Sequence, residues 1–415
     1  MSRLYYSYGT LGGEGGEGGE GGEGGEGGEG GLGGEGGLGG EGGEGGEGGE
    51  GGEGGEGLGF GRGGRRTSVL GSRTLITSRD GTVGRWRGLV SKPDPLEQGA
   101  KALYLWSTRR RIQVAQAELL AGLTYHDSVN AIEVQHLAED KPQLCKLIKI
   151  VRPDFRVEEG HDDREASGQL KEQLEFVNNY AALRSERNSE INVQISDILM
   201  YLGSVGNLNS HRHGYTLELL TAFLNSTVLV EQRIKHALAC RRPVEYSPQI
   251  QPIIPAPGHG SFPSGHSTEA FMAAFVILAL MQGGKAYPHG DAGRTVFEQL
   301  MRHAERIAIN RTVAGVHFPV DSAAGMVLGL TLSEYWIARC SKKMTVNPRV
   351  FSGAKFKGDF SYAETLANLD KYAAKSDSKQ DSNKSGKKNE GYCEGPAQSP
   401  VLKHLWQMAL KEWSI

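Results

Sequence analysis

Two histidines, seven residues apart, flank a Pro-Ser-Gly tripeptide in the segment GHGSFPSGHST, residues 258–268. Ser264 and Gly265 stand where a helix through the apolar run 271–281 would begin. Free N–H groups at a helix start favour negative charge, glycine lets an oxyanion approach the backbone, and serine adds a hydroxyl donor. His266 could move a proton at that oxyanion. The alternative interpretation makes Ser264 a simple N-cap and His266 a surface residue.

Two cations precede this segment, in KHALACRRP, residues 235–243. Lys235 and Arg242 are seven residues apart, about two helical turns, so they project from nearly the same face. Two cations on one face repel each other unless an anion lies between them. The alternative is an ordinary basic helix end, which the helix macrodipole favours.

The third cluster is NRTVAGVHFPVD, residues 310–321. Arg311 offers a planar fork of donors suited to a phosphate-like oxyanion. The six-residue step to His317 does not keep both side chains on one helical face, so the chain must turn near Gly315. Asp321 lies four residues after His317 and can accept a hydrogen bond from its ring, which fixes the tautomer.

The three clusters together resemble the motifs of the phosphatidic acid phosphatase type 2 and vanadium-dependent haloperoxidase superfamily. Within that superfamily they are most similar to those of soluble bacterial vanadium haloperoxidases. The family pattern is Lys-x6-Arg-Pro, then Pro-Ser-Gly-His, then Arg-x5-His-x3-Asp, and residues 235–243, 263–266 and 311–321 match it in order. The resemblance covers roughly residues 105–340. Asn310 is one departure, because the phosphatase pattern has serine before the arginine.

The resemblance implies how the oxyanion is held. Three cations would neutralise the equatorial oxygens of a bound phosphate or vanadate: Lys235, Arg242 and Arg311. The hydroxyl of Ser264 and the N–H of Gly265 would donate to the same oxygens. Vanadate mimics the five-coordinate geometry of phosphoryl transfer, so one pocket can serve two chemistries.

The resemblance also assigns the acid–base residues. His317 would be the direct ligand of vanadium in a haloperoxidase, or the nucleophile that forms a phosphohistidine in a phosphatase. His266 would be the acid or base on the opposite face. Asp321 would orient His317.

His259 favours the haloperoxidase chemistry. The similar position of vanadium bromoperoxidases is also a histidine, whereas fungal chloroperoxidases look to have phenylalanine and soluble acid phosphatases other residues. The GVHF sequence after Arg311 also looks more like the peroxidases. The alternative for His259 is a polar residue in a loop rich in proline and glycine.

The resemblance therefore implies a vanadium-dependent haloperoxidase that uses vanadate as cofactor, and hydrogen peroxide and a bromide-like halide as substrates. The alternative is a soluble acid phosphatase that acts on phosphomonoesters and needs no such cofactor. A third, non-catalytic reading is a helical scaffold with a vestigial site, which the filled motif positions disfavour.

The elements that must position these residues are predicted to be helices, because the apolar residues recur at three- and four-residue steps. Residues 168–202 contain two short amphipathic segments, and longer helices are predicted at 111–137, 216–239, 265–281, 293–314, 318–340 and 401–413. The fold class predicted is all-α, a helical bundle with a four-helix-bundle core. Asp127 and Asn130 would lie on the first helix, either facing the pocket or capping polar groups of the core.

Four regions divide the chain. Residues 1–60 form a low-complexity Gly/Glu-rich tail, 61–100 a basic linker, 101–345 the catalytic domain, and 346–415 a C-terminal extension with a polar linker, 375–391, and a short terminal helix. The repeat has no apolar face to offset its ordering entropy, so we expect disorder. Translated repetitive DNA upstream of the real start is the alternative.

The charge balance changes once the repeat is set aside. The chain has 46 basic and 49 acidic residues, and 13 of the acids are repeat glutamates, so the remainder has 36 acids against 46 bases. Arginines of the basic linker supply much of that excess, yet no nucleic-acid-binding module accompanies them, so no nucleic-acid partner is expected. The expected partners are small-molecule substrates, with a homo-oligomer possible.

The four cysteines are scattered and show no metal-ligand spacing: Cys145, Cys240, Cys340 and Cys393. This distribution predicts buried or free thiols rather than a disulfide framework. The sequence has no pattern of a signal peptide, and its longest apolar run, 271–281, falls short of the roughly 20 residues that span a bilayer. We expect a soluble, cytoplasmic protein.

Overall fold

The computed structural model describes residues 77–79, 81–88, 90, 100–139, 144–159, 164–285, 287, 290–341, 346–372 and 395–414. The described residues from Thr108 onward belong to one compact unit, which holds all three motif clusters, and those before Thr108 belong to a second. The second unit includes a short 3-10 helix, Ala100–Leu105. The tail 1–60, most of the basic linker and the polar linker 375–391 lie outside the described residues.

Helices make up most of the main unit. They are α1 (Thr108–Leu120), α2 (Gly168–Tyr180), α3 (Arg184–Ser196), α4 (Leu199–Gly206), α5 (Gly214–Leu238), α6 (Pro243–Tyr246), α7 (Gly265–Gly283), α8 (Asp291–Ala314), α9 (Pro319–Cys340), α10 (Tyr362–Ala367), α11 (Leu369–Tyr372) and α12 (Pro400–Glu412). Short 3-10 helices stand at Ala181–Leu183 and Gly353–Lys355. Helices α5, α7, α8, α9 and α12 agree with the predicted ones to within a few residues.

The main unit also contains strands, so the all-α prediction is wrong in this respect. The strands are β1 (Leu123–Ser128), β2 (Ala131–Leu137), β3 (Leu144–Val151), β4 (Val157–Glu159), β5 (Arg164–Ala166) and β6 (Arg349–Ser352). A four-stranded mixed sheet has the order β1-β2-β3-β6, with β3 and β6 parallel and the other pairs antiparallel. Strands β4 and β5 form a separate antiparallel pair.

The predicted helix 111–137 is wrong beyond Leu120, where strands follow. Helix α1 ends at Leu120, and Gly122 adopts a positive φ of 85°, which turns the chain into β1. Ile132, which fits the three- and four-residue steps of a helix, lies instead on β2, where buried and half-buried residues alternate from Ile132 to His136. Asp127 lies on β1 and pairs with Arg233 at 2.7 Å, so it neither faces the pocket nor caps the core.

Helices α7 and α9 pack closely enough to require glycine on α9. A Cβ added to Gly325 would lie 2.5 Å from the main-chain oxygen of Ser264, and one added to Gly329 would lie 2.4 Å from that of Thr268. Helix α7 is apolar along most of its surface and is almost entirely buried. The close approach holds the start of α9 against the start of α7.

Cysteine usage differs from the expectation at one position. Cys145, on β3, is disulfide-bonded, which corrects the expectation of thiols for that residue. Cys240 and Cys340 are free thiols. Cys393 lies outside the described residues. In the described part of the chain, no helix combines the length and the hydropathy that a membrane crossing needs.

The C-terminal helix secures the start of α5. The carboxylate of Glu412 accepts hydrogen bonds at 2.8 Å from the main-chain N–H groups of Tyr215 and Thr216 and from the Thr216 hydroxyl. A negative charge at a helix N-terminus stabilises it, and the first N–H groups have no partner within the helix.

We expect Glu412→Ala to lower the free energy of unfolding by about 1–3 kcal/mol, because it leaves main-chain donors of α5 without their acceptor. Urea denaturation of the full chain measures the change. Lys411→Ala removes an exposed neighbour on the same helix and is the matched control. Equal stability of the two variants would contradict the assignment of Glu412 as a cap.

Candidate active site

The motif residues come from the ends of helices that meet at one place. Lys235 lies in the last turn of α5, and Arg242 is the N-cap of the short helix α6. Ser264 is the N-cap of α7. Arg311 lies in the last turn of α8, and Asp321 lies in the first turn of α9. Because a polar cluster cannot lie in the apolar middle of the bundle, it is confined to these helix ends.

Arg242 links the first cluster to the other two. Its Nε donates to the main-chain oxygens of Pro257 and His259 at 3.1 and 3.0 Å, and one terminal nitrogen donates to that of Val316 at 2.9 Å. The same terminal nitrogen lies 3.3 Å from Nε2 of His317. The guanidinium is 1% exposed, so these contacts are made away from solvent.

Lys235 is bound to the same loop. Its Nζ donates to the main-chain oxygens of Gly260 and Ser261, both at 3.2 Å, and the side chain is 1% exposed. Arg242 also reaches the Gly260 oxygen, at 3.4 Å. The alternative of a solvated basic helix end is therefore wrong for these two residues, because both cations point into the protein.

His317 and Asp321 form a buried pair. Nδ1 of His317 lies 2.8 Å from Oδ2 of Asp321, and neither side chain is exposed. A carboxylate accepts, so Nδ1 carries the proton and Nε2 keeps its lone pair. Burial lowers the pKa of His317 well below its ordinary value, and the charges of Arg242 and Lys235 lower it further. His317 is neutral in this environment.

Ser264 is the N-cap of α7, and its role as a donor to an oxyanion stays a prediction. Its hydroxyl accepts from the N–H of Ser267 at 3.5 Å, as an N-cap does. Its own N–H donates to the main-chain oxygen of Asp321 at 3.0 Å, which joins the starts of α7 and α9. The side chain is fully buried beside Gly265, the first residue of α7.

His266 is a buried residue, so the surface interpretation is wrong. Its Nε2 donates to the main-chain oxygen of Gln194 at 3.1 Å, and within the described structure its Nδ1 is buried without a hydrogen-bond partner. Burial lowers the pKa of His266 well below its ordinary value, and the charge of Arg311 lowers it further, despite the opposing effect of the bond to Gln194. A neutral imidazole with an open Nδ1 can accept a proton.

Residues of α3 hold the side chain of Arg311 by hydrogen bonds. One terminal nitrogen donates to the main-chain oxygen of Ile191 at 3.1 Å and to the side-chain oxygen of Gln194 at 3.3 Å. The turn expected between Arg311 and His317 is present at Gly315, which ends α8 with a φ of 87°. Only glycine adopts that conformation without strain.

Sequence reasoning missed two residues of α3. Arg184 donates to the main-chain oxygens of Val313, Gln251 and Ile250 at 2.9, 2.8 and 2.9 Å, and so fixes the turn that separates Arg311 from His317. Gln194 contacts two motif residues. No spacing within α3 signals these roles, because their partners lie far along the chain.

The donor set fits an oxyanion. Cations and N–H groups from three clusters surround two neutral histidines, and these groups bind negative oxygen rather than a metal cation. Within the described ranges, no group of three or more His, Cys, Asp or Glu side chains is arranged to hold a metal ion. A phosphate or vanadate fits these residues, since its charge would offset that of Lys235, Arg242 and Arg311.

We expect the anion-free protein to lose stability as the pH falls below about 6.5, with a contribution from His266 of up to about 1.4 kcal/mol per pH unit. The folded-state pKa of His266 lies below its ordinary value of 6.5, so the unfolded chain binds the proton first. Urea denaturation between pH 5 and 8 measures the slope. His266→Gln should lower the slope by that contribution, since glutamine can donate to Gln194 but does not titrate, while His317 still contributes; an unchanged slope would contradict the assignment.

Comparisons with known proteins give similarities over the part of the chain that holds this site. The family model of the PAP2 superfamily matches residues 215–344, which include all three motif clusters. A vanadium-dependent bromoperoxidase of Ascophyllum nodosum is 27% identical over 123 residues, 25% of this chain and 22% of the relative. The match therefore spans about a fifth of the relative's length.

A solved structure is also similar, but weakly. It is a transmembrane PAP2 type phosphatidylglycerolphosphate phosphatase from Bacillus subtilis, 19% identical, with a TM-score of 0.31. The similarity covers 40% of this chain and 84% of that one. A TM-score this low supports no argument about the present chain.

Proposed function

We propose, from the PAP2 superfamily match across residues 215–344, that this chain is a vanadium-dependent haloperoxidase that oxidises a bromide-like halide with hydrogen peroxide. The similarity to a vanadium-dependent bromoperoxidase supports the direction of this proposal. The superfamily contains both phosphatases and haloperoxidases, so the choice between them depends on the site itself.

His259 is the observation that carries the proposal. Its Nδ1 lies 3.3 Å from a terminal nitrogen of Arg242, and its main-chain oxygen accepts from Nε of the same arginine. A charge on His259 also lowers the pKa of His317. His259 is half-buried, and its contact with Arg242 supports a role at the site over that of a polar loop residue. A titratable group at this place suits peroxide, which must lose protons to react.

The residues at the site would hold vanadate through its negative oxygens, with Lys235, Arg242 and Arg311 as cations and Ser264 and Gly265 as hydrogen-bond donors. Bound vanadate supplies Lewis-acid activation of peroxide.

The histidines have separate roles in this proposal. His317 presents the lone pair of Nε2, because Asp321 fixes the proton on Nδ1, and so it is the residue that would ligate vanadium. His266 accepts a proton at Nδ1, because Nε2–H is engaged with the main chain of Gln194. Burial of both rings excludes water from the proton transfer.

Acid phosphatase activity is the second candidate, and the His317–Asp321 pair favours it equally. An imidazole with its Nδ1 proton held by a carboxylate presents a nucleophilic Nε2, which is what attack on a phosphomonoester requires. A proton taken up at Nδ1 of His266 would then pass to the oxygen of the leaving group. Asn310 stands where the phosphatase pattern has serine, which counts against this candidate.

Paired assays of the full chain test the proposal. We expect vanadate-loaded protein to brominate a phenol dye in the presence of hydrogen peroxide and bromide, and anion-free protein not to do so. The anion-free protein is assayed in parallel with p-nitrophenyl phosphate. Hydrolysis of the phosphate ester without bromination under any vanadate concentration would reverse the assignment in favour of the phosphatase.

We expect His259→Ala to lower the bromination rate about tenfold to a hundredfold, and to change vanadate affinity by less than threefold. The reason is that His259 contacts Arg242 through its ring, while its main-chain oxygen, which the variant keeps, also holds that arginine. Steady-state rates and vanadate titration measure the two effects. A loss of affinity as large as the loss of rate would show that His259 only holds the loop.

A further inference from the structure

Gln194 contacts two site residues from outside the three sequence motifs. We propose that it is a positioning residue, which orients Arg311 through its side chain and His266 through its main chain. The inference rests on the proposed oxyanion chemistry of this site. Gln194 lies in the last turn of α3 and is 1% exposed.

The side-chain amide of Gln194 has one permitted orientation. Its oxygen accepts from Nδ2 of Asn310 at 2.9 Å and from Arg311 at 3.3 Å, and its nitrogen donates to Glu190 at 3.0 Å. Flipping the amide would set a donor against two donors and an oxygen against a carboxylate. The neighbours therefore lock the acceptor towards Arg311.

The neighbours of Gln194 are themselves held. Asn310 accepts from Arg187 at 3.1 Å, and Glu190 forms an ion pair with Arg306 at 2.8 Å. Burial raises the pKa of Glu190, but the hydrogen bond and charge of Arg306 outweigh it and keep that pKa below its ordinary value. Asn310, the departure from the phosphatase pattern, thus has a structural partner in Gln194.

The chemistry of an amide matters at this position. An amide oxygen accepts a guanidinium N–H without adding a negative charge beside it. A carboxylate would offset part of the charge of Arg311, and so weaken its attraction for an oxyanion. Gln194 therefore orients Arg311, while the nearby carboxylate of Glu190 is engaged by Arg306.

The main-chain oxygen of Gln194 fixes the proton of His266. A carbonyl can only accept, so Nε2 of His266 must carry the hydrogen, and Nδ1 is the nitrogen that accepts a proton. One residue thus sets the direction of a cation and the tautomer of an acid–base group. A substitution of Gln194 removes the side-chain bond to Arg311 but keeps the main-chain carbonyl that accepts from His266.

The test compares Gln194→Met with Asn192→Ala, an exposed position on the same helix. Calorimetric titration of the full chain with orthovanadate, and separately with inorganic phosphate, measures affinity. We expect Gln194→Met to bind both about tenfold more weakly than wild type, which corresponds to about 1.4 kcal/mol. Asn192→Ala should bind like wild type. Wild-type affinity in folded Gln194→Met would overturn the inference.

A charge exchange separates orientation from simple packing. The double variant Glu190→Gln/Gln194→Glu keeps the volume, the net charge and an acceptor for Arg311, but moves the carboxylate next to that arginine. We expect it to bind both anions more weakly than Gln194→Met, whereas a purely structural role predicts the reverse order. This variant also tests the inference if Gln194→Met fails to fold, since binding within twofold of wild type would overturn it.

The two proposals fail differently. If wild type binds neither vanadate nor phosphate, the proposed function is wrong, and the inference falls with it. If wild type binds and every Gln194 variant binds equally well, only the inference is wrong. Thermal unfolding of each anion-free variant identifies losses of affinity that come from misfolding.

Discussion

His317→Ala is expected to abolish bromination and any hydrolysis of phosphate esters by the full chain. The variant removes Nε2, which would ligate vanadium in one chemistry and attack phosphorus in the other. We expect a loss of at least a thousandfold in turnover, about 4 kcal/mol of transition-state stabilisation. Turnover with saturating vanadate, peroxide and bromide, and with p-nitrophenyl phosphate, measures it.

Two further variants make the His317 result interpretable. His317→Ala leaves the buried carboxylate of Asp321 without its ring partner, so the fold could suffer. His317→Asn can still donate to Asp321 but offers no imidazole nitrogen, and should be as inactive while more stable. His236→Ala, an exposed histidine of α5, is the control. Retention of more than about a tenth of wild-type turnover, a loss below roughly 1.4 kcal/mol, would show that the roles are misassigned.

Arg242→Ala is expected to have the largest combined effect on binding and stability. It removes the arginine donor from the main-chain oxygens of Pro257, which is half-buried, and Val316, which is buried, at a cost of about 1–3 kcal/mol for each group left unsatisfied. We expect the free energy of unfolding to fall by about 3 kcal/mol and vanadate affinity to fall more than a hundredfold. Urea denaturation and calorimetric titration measure these changes.

The neighbouring arginine provides the comparison. Arg241 is 69% exposed at its side chain, so Arg241→Ala should leave both quantities within error of wild type. Arg242→Lys keeps the charge but cannot reach all of these carbonyls, and should recover part of the anion affinity with little of the stability. Full recovery by lysine would mean that charge alone, and not the fork of donors, defines the role of Arg242.

The sequence by itself determined the helices that carry the three motifs, and it predicts that the motif residues bind an oxyanion. Helices α5, α8 and α9 are long and their apolar spacing is local, and α7 is one continuous apolar run, so each can be predicted without its partners. The turn at Gly315 was also predictable, because the step from Arg311 to His317 does not fit one helical face. These features depend on residues within a few turns of one another.

The sheet was not predictable by the same reasoning. Strands β1 and β2 share apolar spacing with a helix over short windows, and β6 pairs with β3 from about two hundred residues further along the chain. Short strands take their identity from such partners rather than from local propensity. The prediction of an all-α fold failed where pairing, and not periodicity, decides the structure.

Only the tertiary structure decided which distant residues hold the motif residues in place. Gln194 stands 72 residues before His266 and 117 before Arg311, and nothing in its own helix distinguishes it from Asn192. The role of Arg184 was not predictable either. Its three acceptors are main-chain oxygens, which every residue type provides, so the sequence does not reveal them. A motif records the groups that would touch the anion, whereas buried hydrogen bonds between distant segments exist only after the chain has folded.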